Sequence, residues 1–168
     1  SVKELLALAR ARPGALAYGT SGVGGAGHLA GALFQSMSKT VLLHVPYKGG
    51  APLAMDLMAG QVQIAFPSAA STAPYIQSGR LRALAVTTTR RSKLFPDLPP
   101  IAESGVPGYE AHSWYGFVVP AKTPQPIVAR LNKEIVQVLN RPETGEAVLR
   151  VGLEVWTSTP EAFGAYIK

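Results

Sequence analysis

The 168-residue chain has no cysteine, which excludes disulfides, thiol nucleophiles and cysteine-ligated metals. It also has little charge: Asp, Glu, Lys and Arg together make up 15% of residues. No Asp or Glu falls between Glu4 and Asp56, and Asp56, Asp97, Glu103 and Glu110 fall on helix or loop positions without pairing, so no general acid–base pair stands out. The three histidines, His28, His44 and His112, show neither HxxxH nor HExxH spacing, which leaves a metal site without support. Each reads first as a hydrogen-bonded structural residue, although a spatial triad stays open. No apolar run approaches the length that crosses a bilayer, and no N-terminal segment resembles a signal peptide.

What is present is glycine, concentrated in Tyr18-Gly19-Thr20-Ser21-Gly22-Val23-Gly24-Gly25-Ala26-Gly27-His28-Leu29. An apolar run leads into small and hydroxyl residues, and a helical pattern begins near Gly27. A loop so free of bulk lets backbone N–H groups approach a ligand. The helix start adds unpaired donors and the positive end of a dipole, and together these suit a carboxylate or phosphate. The order Gly22-Val-Gly24-Gly-Ala-Gly27 contains G-x-G-x-x-G, but the acid that a dinucleotide site wants on the next strand is missing, since Val41–Val45 runs into Pro46-Tyr47-Lys48. No Gly-Lys-Ser/Thr closes the loop as in a phosphate-binding P-loop, and Thr20-Ser21-Gly22 is not a G-x-S-x-G elbow. A plain connector whose glycines serve only tight turns is the alternative.

Lys plus Arg number 16 against 10 Asp plus Glu, a net charge of +6. The basic residues are scattered except for Arg80, Arg82, Arg90, Arg91 and Lys93, which read as a solvated edge. Without a concentrated basic face carrying aromatic platforms, nucleic acid is not an expected partner. The overall positive field suits small anions.

Apolar spacing predicts a first helix around Leu5, Leu6, Leu8 and Ala9, capped by Ser1 and Glu4 and stopped by Pro13-Gly14. Strand, helix, strand, helix then alternate: Leu16–Tyr18, Gly27–Met37, Val41–Val45, Ala51–Met58, Val62–Phe66, Ser71–Ser78 and Leu81–Val86. This cadence predicts an α/β fold, a mostly parallel sheet flanked by helices. A Pro-rich extended connection covers about Thr88 to Glu110. Beyond it come a strand over Trp114–Val119, helices opening at Pro124-Gln125-Pro126 and Arg141-Pro142-Glu143, a strand over Leu153–Trp156 and a last helix from Thr159-Pro160-Glu161. The change of character near Ser113 predicts two parts, 1–112 and 113–168, with a hinge around Glu110–Ser113.

The binding candidates lie at the C-terminal ends of three predicted strands, where open α/β sheets hold ligands. They are Thr20, Ser21, Gly22 and Gly24, then Tyr47, Lys48 and Gly49 after Pro46, then Pro67 and Ser68. His28 joins them from the first turn of the helix, and Tyr47 and Trp114 are candidate walls or plain packing residues.

Tyr18-Gly19-Thr20-Ser21-Gly22-Val23-Gly24, His28-Leu29-Ala30-Gly31, His44-Val45-Pro46-Tyr47-Lys48-Gly49, Leu81–Thr87, Gly105-Val106-Pro107-Gly108-Tyr109-Glu110, Trp114-Tyr115-Gly116 and Pro120–Pro124 together resemble the Bug-type substrate-binding receptors of tripartite tricarboxylate transporters, in order and across essentially the whole chain. The resemblance implies a type II periplasmic-binding-protein fold. It also implies a periplasmic receptor that closes on a small carboxylate, passes it to membrane permease subunits, and needs neither catalysis, cofactor nor membrane insertion. It implies ligand contacts from Thr20, Ser21, Gly22, Gly24, His28, Tyr47, Lys48 and Gly49. It further implies that 1–112 is the second, ligand-binding lobe and 113–168 the returning part of the first, the family's initial strand and Pro-Gly-Gly-type loop having no counterpart before Ser1. Many members carry Asp where this chain has Pro67; its absence favours a ligand without an ammonium group. A nucleotide-binding enzyme using the Gly22–Gly27 loop and a ligand-sensing module are the competing readings.

Overall fold

The computed structural model describes residues 1–167, which fall into two compact units, Ser1–Ser113 and a second beginning at Trp114. The last residue of the expected 113–168 segment lies outside the described residues.

In the first unit, α1 (Val2–Ala11) starts on a capping box in which Ser1 and Glu4 satisfy each other's backbone N–H. The chain then alternates β1 (Ala17–Thr20), α2 (Ala26–Ser38), β2 (Leu43–Pro46), α3 (Gly50–Met58), β3 (Ile64–Ala65) and α4 (Ala69–Gln77). The three strands pair in parallel in the order β2-β1-β3, with Tyr18 opposite both His44 and Ile64. The central strand β1 is buried along its whole length, as a parallel strand covered on both faces must be.

Alternate residues of β1 feed opposite faces. Tyr18 enters a core with Val2, Leu6, Phe34, Leu42, Ile101 and Tyr109; Ala17 packs with Leu53 and Val62. Two glycines let helices close on this strand. A Cβ on Gly31 would collide with the Tyr18 ring, and one on Gly19 with Leu53 Cδ1. The buried Tyr109 hydroxyl donates to the Ala30 carbonyl at 2.9 Å, so the segment after the sheet is fastened to α2.

The second unit contains α5 (Gln125–Leu139), α6 (Pro142–Arg150) and α7 (Pro160–Ile167). Prolines sit in the first turns of α5 and α6, where a missing N–H costs nothing. Trp114 meets Phe163 and Tyr166 edge-on, at 5.4 and 5.8 Å between ring centres.

Three expected strands are corrected. In 81–86 only Val86 pairs, through its N–H to Pro99 and its carbonyl to Ile101. Trp114–Val119 and Leu153–Trp156 form no ladder among the described residues. Their apolar, β-branched composition suits a pleated half-buried surface, but a strand also needs a neighbour for its N–H and C=O groups. The Pro-rich connection hides a 3-10 turn at Ile101–Ser104, part of which enters the first core.

Candidate functional site

The C-terminal ends of β1, β2 and β3 open into three loops, and backbone hydrogen bonds draw the first two together. Tyr47 N–H donates to the Thr20 carbonyl at 2.8 Å, and Gly49 N–H to the Ser21 carbonyl at 3.1 Å. The third loop is close: a Cβ on Gly27 would stand 2.7 Å from the Phe66 carbonyl oxygen. Gly24 and Gly49 have φ of 78° and 112°, backbone that side-chain-bearing residues resist.

Each loop ends at a helix start. Gly25, Gly49 and Ser68 occupy the N-cap positions of α2, α3 and α4, and none of these helices has a side-chain cap, unlike α1. Uncapped helix starts of this kind carry partial positive charge. No acidic side chain occurs in 20–25, 46–49 or 66–68. The nearest carboxylate in sequence, Asp56, accepts the Tyr47 hydroxyl at 2.8 Å. That bond, together with burial, which is the larger effect, pushes the Tyr47 phenol above its ordinary pKa.

The side chains sort into two groups. Ser21, Gly24, Lys48, Pro67 and Ser68 are exposed, and Gly22, His28, Tyr47 and Gly49 are half-buried. Ser68 Oγ donates to Ser71 Oγ at 3.1 Å. Thr20 differs from the rest: it is 2% exposed, donates to the Gly22 carbonyl at 3.1 Å and contacts His44 Nε2 at 2.8 Å. Its hydroxyl shapes the loop from beneath. Trp114 lies in the other unit, against Phe163 and Tyr166.

Sequence reasoning missed the neighbourhood of His44. Its ring lies between Tyr18 (4.9 Å between ring centres, 27° between planes) and His28 (4.3 Å, 13°). Burial and the neighbouring His28 hold the His44 imidazole below its ordinary pKa. The signal was the parallel register that sets His44 beside Tyr18, the last large residue before the loop. His112 lies 3.6 Å from the Glu110 carboxylate. Among the described residues no cluster of metal-ligating side chains occurs, and no helix is long and apolar enough to cross a membrane.

A three-loop edge without acidic side chains does not repel a negative charge. The chain belongs to the tripartite tricarboxylate transporter family receptors, whose family model matches residues 1–168; members of this family are periplasmic solute-binding receptors. It is similar to the UPF0065 protein of the tcbD-tcbE intergenic region of Pseudomonas sp. strain P51, at 38% identity over 99% of this chain and 50% of that protein. It is also similar to the BugT protein of Bordetella pertussis, at 33% identity over 99% of this chain and 51% of that protein. Among solved structures, R. palustris Rpa4515 with adipate superposes with a TM-score of 0.89 at 37% identity, covering 99% of this chain and 56% of that one. The chain thus spans about half the length of these relatives.

Proposed function

We propose that the chain is the ligand-gripping part of a periplasmic receptor that captures a small dicarboxylate and hands it to the membrane permease subunits of a tripartite transporter. In this reading 1–112 is the second lobe and carries the site, and 113–168 is the returning part of the first. One observation carries the reading: three helix N-termini without side-chain caps open on one sheet edge, with no acid in the loops between. Hydrogen bonds from amides to a charged acceptor are among the stronger ones. Ser21, Gly22 and Ser68 supply this backbone surface, Gly24 and Gly49 bend it while their own N–H groups are bonded to His28 and Ser21, Thr20 supports it, and Lys48 supplies a cation. His28 and Tyr47 flank it, and Pro67 closes the third loop.

Membership of a receptor family supports capture without conversion. Pro67, standing where an acid would hold an ammonium group, fits a ligand bearing carboxylates alone. Adipate, present in the R. palustris relative, is the first probe. Adipate is expected to raise the melting temperature and to shift the amide resonances of 21–28, whereas aspartate and glutamate leave both unchanged. Tight binding of the amino acids, or no response to adipate, overturns the reading.

A further inference from the structure

The hydrogen bonds around the two stacked imidazoles fix where their protons sit. Gly24 N–H donates to His28 Nδ1 at 3.0 Å. That nitrogen therefore holds a lone pair, and His28 is neutral with its proton on Nε2. Thr20 gives its one hydroxyl proton to the Gly22 carbonyl, so at 2.8 Å it accepts from His44 Nε2–H. His44 is then held in place by Thr20 on one edge and by the Tyr18 and His28 rings on its faces.

In this arrangement the Gly24 amide is masked by a side chain of its own loop. A second proton on His28 can go only to Nδ1, and there it displaces the Gly24 N–H. The same event releases an amide donor and creates a cation, both at the start of α2. A proton on each imidazole at once would set two like charges face to face 4.3 Å apart. Among the described residues, the elements around the pair offer no free carboxylate. Tyr18 and Thr20 come from β1, Phe66 follows β3 and meets Tyr18 edge-on, and α4 contributes no acid. Lys48 in the loop after β2 is itself a cation, and Asp56 of α3 is bonded to Tyr47. The positive end of α2 also opposes the imidazolium. An incoming carboxylate supplies the missing negative charge.

We propose that His28 and His44 form a one-proton site in which a proton on His28 exchanges for the Gly24 amide, unmasking the loop for a carboxylate. The proposal rests on the carboxylate reading above for its ligand, but the proton–amide exchange belongs to the free chain. The sign follows from linkage. The bound anion favours the protonated pair, so capture takes up a proton and affinity rises as pH falls, by at most about tenfold per pH unit for one proton. His44 is a positioning residue, since it acts through the stack and through Thr20.

The test uses the chain of residues 1–168 and two readouts. Nuclear magnetic resonance follows the Gly24 amide and the His28 ring from pH 8 to pH 5 without ligand, in the native chain and in His28→Asn. The asparagine carboxamide oxygen still accepts the amide but does not titrate. The expected result is that the Gly24 amide loses its hydrogen-bonded shift in step with His28 titration, and that H28N shows no such step. A Gly24 amide indifferent to His28 titration, or one that moves equally in H28N, overturns the proposal. Calorimetry with adipate in two buffers of different ionisation heat then counts protons. Uptake in the native chain that is abolished in H28N supports the exchange, whereas equal uptake in both overturns it. Absence of adipate binding at every pH counts against the dicarboxylate reading alone, because the exchange is read on the free chain.

Discussion

The Gly31 position shows how little freedom a buried residue has. A methyl group there would run into the Tyr18 ring, and that ring is buried in the larger core. Gly31→Ala is expected to destabilise the chain by about 1–3 kcal/mol, the cost of overpacking, read as a lower urea midpoint with unchanged slope. Tyr109 makes a different case. Burial raises its phenol pKa, so the folded state keeps the neutral form while the unfolded chain ionises near about pH 10. The stabilisation is fully present below that pH and is lost as pH rises toward the folded value. Tyr109→Phe should flatten the loss of stability above about pH 10 while lowering stability at pH 7 by about 1 kcal/mol through loss of the bond to Ala30; thermal melts at both pH values test it. His44 acts in the opposite sense. Its folded pKa lies below the unfolded value, so its contribution is present above about pH 6.5 and fades as pH falls. At this scale glycines at turns were readable, but Gly19, Gly27 and Gly31, which serve close packing, looked like any other glycine. Only the fold reveals what a side chain there would strike.

At the scale of elements, the helices were readable, as were the three strands that pair, expected at Leu16–Tyr18, Val41–Val45 and Val62–Phe66, whereas three further expected strands form no ladder among the described residues. α2, α5 and α6 announce themselves through apolar spacing and through proline or glycine at their ends, and these signals are local. A strand is defined by its neighbour. Leu81–Val86 and Trp114–Val119 have the composition of strands, yet only Val86 finds a partner among the described residues. The candidate loops were found because each follows a strand that does pair, whereas the His28–His44 contact depended on register and stayed hidden. One helix end is open to improvement. Lys39, the C-cap of α2, has φ of 54° and ψ of 43°, a left-handed conformation that disfavours residues with a Cβ. Lys39→Gly is expected to stabilise the chain by about 0.5–1 kcal/mol, measured by chemical denaturation; a lower midpoint would show that the lysine side chain contributes more than its backbone costs.

At the scale of the molecule, the two units differ in how well they bury their apolar residues. In the second, no residue of α5, α6 or α7 is fully buried, and Phe117 and Val118 are 72% and 79% exposed. The chain is expected to bind a fluorescent hydrophobic dye in its folded state, and Phe117→Lys with Val118→Lys should lower that signal without changing helix content.

The lack of acidic side chains in the three loops also governs how quickly a ligand arrives. On a chain of net charge +6, an approaching dianion meets attraction throughout its last nanometre, within which charges are felt at physiological salt. Stopped-flow mixing with adipate should therefore show an encounter rate that drops steeply as sodium chloride is added, while the escape rate barely changes. Under the proposed reading, low salt speeds capture more than high salt does.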